Sequence, residues 1–106
     1  MRDSILAAFP SLEPDDVRST SMGASGADIL LSPVARRLFP FYVEAKNQES
    51  INIWKAIAQA EAGRLKGFTL DGPTVYPLVV FKRNNTETYA ALPFNVLLGL
   101  LKATRG

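Results

Sequence analysis

The sequence predicts a single α/β domain over residues 1–106, with a mixed β-sheet flanked by helices in the order α-β-β-β-α-β-β-α. Its length of 106 residues is that of one domain and is too short for two. A hydrophobic fraction of 47% supplies one modest core. Short apolar runs of strand length alternate with runs of helical periodicity, and proline and glycine separate them.

The first half of the chain predicts one helix and three strands, at residues 3–9, 17–20, 27–31 and 39–45. Pro10 ends the helix, because a proline ring clashes with the preceding turn. A loop of small residues at 21–26 separates the first two strands, and Ser32-Pro33 ends the second. We interpret residues 33–38 as a connection that returns the third strand antiparallel to the second.

The second half predicts a helix, a β-hairpin and a last helix, at residues 51–62, 75–81, 86–92 and 94–104. Ser50 is the predicted N-cap of the first of these helices, and Gly63 is its predicted end. Asn84-Asn85 forms the hairpin turn, since asparagine tolerates a positive φ. Pro93 opens the last helix, which carries more apolar residues than one core-facing stripe needs.

The composition excludes several chemistries, because the chain has no histidine and no cysteine. Zinc sites of Cys and His, Ser-His-Asp and Cys-His catalysis, histidine-held haem and disulfides are all ruled out. The remaining groups are carboxylates, lysine, arginine and hydroxyls, which suit oxygen-bound cations such as magnesium. Residues 17–106 carry a net charge of +5, which is compatible with a polyanionic partner.

An acidic residue and a lysine share one face of the third predicted strand, because Glu44 and Lys46 are two residues apart. Asp28 opens the preceding strand, so an antiparallel return places it beside Glu44. Two neighbouring carboxylates repel each other unless a cation lies between them, which favours a metal site or compensation by Lys46. The alternative is an ordinary surface salt bridge at a strand end.

The helix after Lys46 has one polar stripe, formed by Asn52, Lys55 and Gln59, on an otherwise apolar surface. We interpret this stripe as facing the polar groups at Glu44 and Lys46, with a solvated stripe as the alternative. Trp54 is interpreted as a core residue rather than as a platform for stacking bases.

Three segments together resemble the PD-(D/E)xK nuclease superfamily, at residues 17–30, 42–46 and 77–82. They carry Arg-Ser, Gly-x-x-Gly-x-Asp, Glu-x-Lys and Pro-Leu-Val-Val-Phe in that order. Within the superfamily the chain is most similar to archaeal-type and phage-type Holliday junction resolvases. The resemblance implies a restriction-endonuclease-like fold and a metal-dependent, structure-specific DNA endonuclease that leaves a 5′-phosphate.

The resemblance also implies a set of catalytic residues and a cofactor. Asp28, Glu44 and the backbone carbonyl of Ala45 would hold Mg²⁺, for which Mn²⁺ can substitute. Lys46 would orient the attacking water or stabilise charge at the phosphate, and Gln59 would position the lysine or the water.

The expected partner is DNA, in particular branched DNA. The predicted DNA contacts are Arg18, Ser19, Ser21, Ser25, Arg36, Arg37, Lys55, Lys82 and Arg83. We expect a cytoplasmic homodimer without a membrane segment, formed through residues 94–104 and the edge at residues 39–41, unless those leucines all serve the monomer core. The alternative functions are a catalytically inactive DNA-binding module, a general nicking or single-strand endonuclease, and a structural domain with an internal salt bridge.

Overall fold

The computed structural model describes residues 1–19, 29–67, 72 and 74–105, which form four helices, one 3₁₀ turn and five strands. The helices are α1 (Arg2–Ala8), α2 (Pro33–Leu38), α3 (Ile53–Lys66) and α4 (Phe94–Arg105), and the 3₁₀ turn is Pro14–Asp16. The strands are β1 (Val17–Ser19), β2 (Ile29–Leu31), β3 (Phe41–Asn47), β4 (Tyr76–Lys82) and β5 (Tyr89–Ala91).

The strands of the described chain belong to two sheets. β1 and β2 form an antiparallel pair, while the second sheet has the order β3-β4-β5. β3 and β4 run parallel and β4 and β5 antiparallel. Parallel neighbours need a crossover connection, and α3 supplies it between β3 and β4. The fold is therefore mixed α/β as predicted, but the expected single sheet is wrong for the described residues.

The larger hydrophobic cluster covers one face of the β3-β4-β5 sheet. Its buried members are Ile5, Leu12, Val17, Ile29, Ala35, Phe41, Val43 and Leu78. They come from α1, the segment that follows it, both sheets and α2, and Val96 and Leu100 of α4 pack against them. This cluster explains why the short β1-β2 pair stays attached to the larger sheet.

The opposite face of the sheet lies under α3, which packs through very small side chains. Ala56 and Ala60 are buried against Val79 of β4. One turn further along, a Cβ atom added at Gly63 would overlap the ring of Tyr42 on β3. The helix therefore lies close to the sheet, and this close approach positions its polar side beside β3.

Several predicted boundaries are corrected by local hydrogen bonds. Residues 33–38, expected to be an irregular connection, form α2, because the Ser32 hydroxyl accepts a hydrogen bond from the Ala35 amide at 3.1 Å and caps the helix. α3 begins after Asn52 rather than Ser50, since the Asn52 side chain accepts from the Lys55 amide at 3.1 Å. It also continues through Gly63 to Lys66.

Other predictions are confirmed. β4 and β5 form the expected hairpin, and Asn85 adopts the positive φ of 63° that its turn requires. The last helix follows Pro93 as expected. Within the described ranges, the helices are all too short or too polar to cross a lipid bilayer.

Candidate functional site

The Glu44–Lys46 pair lies on the face of β3 that α3 covers. Glu44 pairs in register with Val79 and Lys46 with Phe81, and both of these β4 residues belong to the cluster under the helix. The Lys46 Nζ atom lies 3.4 Å from Glu44 Oε1. The strand alternation predicted from the sequence thus places the acid and the lysine side by side.

Burial distinguishes this pair from a solvated surface salt bridge. Glu44 is 7% exposed and is the one buried charged residue in the part of the chain that the structure describes. The Lys46 side chain keeps 23% of its surface exposed. A buried carboxylate carries a large desolvation cost unless a cation compensates it, and the Lys46 ammonium supplies a positive charge at its side.

A polar pocket of about 260 Å³ opens next to Lys46, and we call it the lysine pocket. It is lined by Lys46, Gln48, Ser50, Ile51, Asn52, Lys55, Ala56 and Gln59. Two of these described residues are lysines and none carries a carboxylate. The polar stripe of α3 therefore faces the same pocket as Lys46, as expected, and the lining suits an anion such as a phosphate.

The predicted metal ligands are only partly described. Asp28 lies outside the described residues, whereas Glu44 and Ala45 lie next to each other on β3. Within the described ranges, no three carboxylates come together in a group that could hold a metal. A buried carboxylate followed by a backbone carbonyl is a hard oxygen donor set of the kind that Mg²⁺ prefers.

The predicted DNA contacts fall into three places. Arg18 and Ser19 are exposed on β1, and Ser21 and Ser25 lie outside the described residues. Lys55 lines the lysine pocket, whereas Lys82 and Arg83 line a separate cavity at the β4–β5 hairpin.

Arg36 and Arg37 of α2 are oriented differently from each other. Arg37 is exposed, whereas Arg36 lines a pocket of about 190 Å³ with Tyr42 and Arg64. The Arg36 Nε atom is buried and lacks a hydrogen-bond partner within the described residues. Tyr42 lies on the same face of β3 as Glu44, one alternation earlier in the strand, whereas Arg36 does not line the lysine pocket.

The prediction that Trp54 is a core residue is wrong, since 78% of its surface is exposed. The reason is helix geometry. α3 contacts the sheet through Ala56 and Ala60, and Trp54 lies two residues before Ala56, or about 200° around the helix. The spacing of four residues between Ala56 and Ala60 is the sequence signal from which the buried face of α3 could have been predicted, since small residues allow close packing.

Some residues of the site are not predicted from the sequence. Gln48 and Ser50 line the lysine pocket. Phe81 of β4 lies next to Lys46 of β3, and Tyr89 of β5 stacks on Phe81. The register of β4 against β3 brings Phe81 next to Lys46, and that register could not be read from either strand alone.

The chain was compared with protein-family models, with curated proteins and with solved structures, and none of the three comparisons gives a match.

Proposed function

We propose that this protein is a metal-dependent, structure-specific DNA endonuclease, most similar in function to Holliday junction resolvases. The observation that carries the proposal is the buried Glu44 carboxylate, 3.4 Å from the Lys46 ammonium, beside a pocket that also holds Lys55 and Gln59. A carboxylate that can hold a cation, with ammonium and amide groups that can stabilise charge and orient a water, can catalyse hydrolysis of a phosphodiester.

Glu44 and the Ala45 carbonyl, with Asp28 from the preceding segment, would hold Mg²⁺ or Mn²⁺. When bound, the metal neutralises charge at the phosphate and lowers the pKa of a water. Lys46 donates hydrogen bonds to a phosphate oxygen and compensates the charge that develops there. The Gln59 amide holds Lys46 or the water in position, and Lys55 binds a neighbouring phosphate of the same strand.

In the proposed reaction, the water oxygen forms a bond to phosphorus while the bond from phosphorus to the 3′-oxygen breaks. The 3′-oxygen leaves with a proton that the water gives up, and the phosphate remains on the 5′-oxygen of the next nucleotide. The products are a 5′-phosphate and a 3′-hydroxyl.

Cutting a four-way junction symmetrically requires two sites, and the exposed face of α4 supports a homodimer. Val96 and Leu100 pack into the core, whereas Phe94, Leu97, Leu98 and Leu101 are exposed. Their spacing of three and four residues makes a continuous stripe, which a second copy would cover in a two-fold pair of helices. Phe41 is buried in the monomer, so the edge at residues 39–41 contributes less to this interface than the sequence suggested.

The proposal is tested with strand-labelled DNA in Mg²⁺, in Mn²⁺ and in EDTA. We expect metal-dependent cutting by the wild-type protein, and no cutting by Asp28→Asn, Glu44→Gln or Lys46→Ala. The two carboxylate variants should still bind DNA, because each removes a negative charge near the phosphate. The matched controls are Glu87→Gln and Lys66→Ala, which change exposed residues of the same types outside the lysine pocket.

Each outcome separates the candidate functions. Binding of branched DNA without cutting in either metal would make the protein a DNA-binding module. A Glu44→Gln variant that cuts at the wild-type rate would contradict the metal assignment. Retained turnover in Lys46→Ala would reduce the Glu44–Lys46 pair to a structural salt bridge.

A further inference from the structure

A second cavity of about 430 Å³ lies between the segment at residues 48–53 and the β4–β5 hairpin, and we call it the hairpin cavity. Its lining is Gln48, Glu49, Ile51, Ile53, Phe81, Lys82, Arg83, Thr86 and Tyr89. The volume falls in the range of about 300–1,000 Å³ in which proteins bind small organic groups. Apolar side chains form much of its wall, and one arginine of the turn, Arg83, is part of its lining.

The wall of the hairpin cavity includes a stacked pair of aromatic rings. The ring centroids of Phe81 and Tyr89 are 6.1 Å apart, and their planes differ by 30°. Phe81 is partly buried under α3, whereas Tyr89 keeps 56% of its surface exposed. An exposed ring that is supported from behind is a suitable surface on which a nucleobase can stack.

Hydrogen bonds fix the two sides of the hairpin cavity relative to each other. The Gln48 amide donates to the Lys82 carbonyl at 3.2 Å, and the Asn84 amide donates to Glu49 Oε1 at 3.1 Å. The turn itself is closed by the Thr86 hydroxyl, which donates to the Arg83 carbonyl at 2.8 Å. The cavity therefore exists before a ligand arrives and requires little ordering to bind one.

The cation at the turn favours an anionic ligand. Arg83 lines the cavity, whereas the side chain of Lys82 alternates with Phe81 along β4 and belongs to the opposite face of the sheet, where Lys82 also lines a pocket with Val80. The one acidic residue among the described lining of the cavity, Glu49, accepts a hydrogen bond from the backbone of the turn. A flat apolar wall next to an arginine matches a nucleotide, whose base is planar and whose phosphate is negative.

The hairpin cavity adjoins the proposed catalytic site. Lys46, Phe81 and Tyr89 lie side by side across the three strands, so their side chains share one face of the sheet. Neighbouring strands are about 4.8 Å apart, which places the backbones of Lys46 and Tyr89 about 10 Å apart. Gln48 and Ile51 line both this cavity and the lysine pocket. A nucleotide adjoining a phosphate at Lys46 can thus reach Tyr89.

We propose that the hairpin cavity binds an unpaired nucleobase of the DNA strand, stacked on Tyr89, next to the phosphate that is cut. The inference rests on the proposed function and specifies its substrate. A base held in a duplex stack cannot enter the cavity without unpairing, so DNA with an unpaired nucleotide at the cut position binds better than continuous duplex.

The test measures binding by the full chain in EDTA, where no cutting occurs. The probe is an oligonucleotide duplex that carries a fluorescent aminopurine base either in a one-nucleotide bulge or in a paired position. We expect the wild-type protein to quench the bulged base by stacking and to leave the paired base unchanged. Tyr89→Phe keeps the ring and should quench as the wild-type does.

Tyr89→Ala should abolish the quenching and weaken binding of the bulged DNA by about 5- to 150-fold, the range found for one base-stacking side chain. Trp54→Ala is the matched control, because it removes an exposed aromatic ring that lies outside the cavity. Its binding and quenching should equal those of the wild-type protein. Since Tyr89 is an exposed side chain, its replacement should leave the fold intact.

Equal quenching by Tyr89→Ala and Tyr89→Phe, or no quenching of the bulged base by the wild-type protein, overturns the inference. These outcomes leave the proposed function standing if the same protein cuts DNA in Mg²⁺. Conversely, quenching that depends on Tyr89 without any cutting in Mg²⁺ or Mn²⁺ supports the cavity assignment and contradicts the nuclease.

Discussion

Replacement of Gly63 by alanine tests how closely α3 packs on the sheet. In the middle of a helix this change normally stabilises the protein by up to about 1 kcal/mol, because alanine has the higher helix propensity. At Gly63 the new methyl group would overlap the Tyr42 ring. Overpacking of this kind costs about 1–3 kcal/mol. We therefore expect Gly63→Ala to lower the free energy of unfolding by up to about 2 kcal/mol.

Gly99 provides the matched control, since it also lies inside a helix but has no atom within 4 Å of an added Cβ. Gly99→Ala should raise the free energy of unfolding by up to about 1 kcal/mol. In a Tyr42→Ala background the overlap is gone, so there Gly63→Ala should no longer destabilise the protein. Denaturant unfolding followed by circular dichroism measures all three differences in the free energy of unfolding.

The same change should also weaken DNA binding. α3 carries Lys55 and Gln59 to the lysine pocket, so a helix displaced by the methyl group at Gly63 moves both side chains away from Lys46. Equal stabilisation by Gly63→Ala and Gly99→Ala would refute the close packing of α3 on β3. It would also remove the physical reason for placing the α3 stripe at the candidate site.

Three further predictions concern other parts of the chain. Hydrogen bonds from the Ser32 hydroxyl and then from the Glu13 amide hold the pKa of Asp16 below its ordinary value of 3.8. This carboxylate therefore stabilises the fold above pH 4 and loses that effect as the pH falls through its lowered pKa, so Asp16→Asn should flatten acid unfolding curves. Trp54 is the one tryptophan and is exposed, so its emission maximum should shift little on unfolding in denaturant. Leu98→Glu places a charge in the exposed stripe of α4 and should convert a dimer to a monomer in sedimentation; a wild-type protein that is already monomeric would contradict the dimer.

The order of most elements could be predicted from the sequence, because prolines, glycines and apolar periodicity mark them locally. The start of α3 could not, since Ser50 and Asn52 are both good N-cap residues. The choice depends on long-range contacts: Gln48 and Glu49 are hydrogen-bonded to the β4–β5 hairpin, and this keeps the segment before Asn52 out of the helix. Gly63 was predicted as a helix end because its contact with β3 cannot be read from the helix alone.

For the candidate site, too, the local arrangement could be predicted from the sequence and the long-range contacts could not. Strand alternation predicted that Glu44 and Lys46 share a face, and the structure confirms it. The burial of Glu44 could not be predicted, because it follows from where α3 lies on the sheet. The proximity of Asp28 to Glu44 stays a prediction, since Asp28 lies outside the described residues.

The most direct test of the account is cleavage of a four-way junction, with each strand labelled in turn, by the wild-type protein and by Glu44→Gln. We expect paired nicks on opposite strands in Mg²⁺, none in EDTA, and none from Glu44→Gln although it still binds the junction. A wild-type protein that leaves every strand intact in both Mg²⁺ and Mn²⁺, or a Glu44→Gln variant that cuts as fast as the wild-type protein, would contradict it.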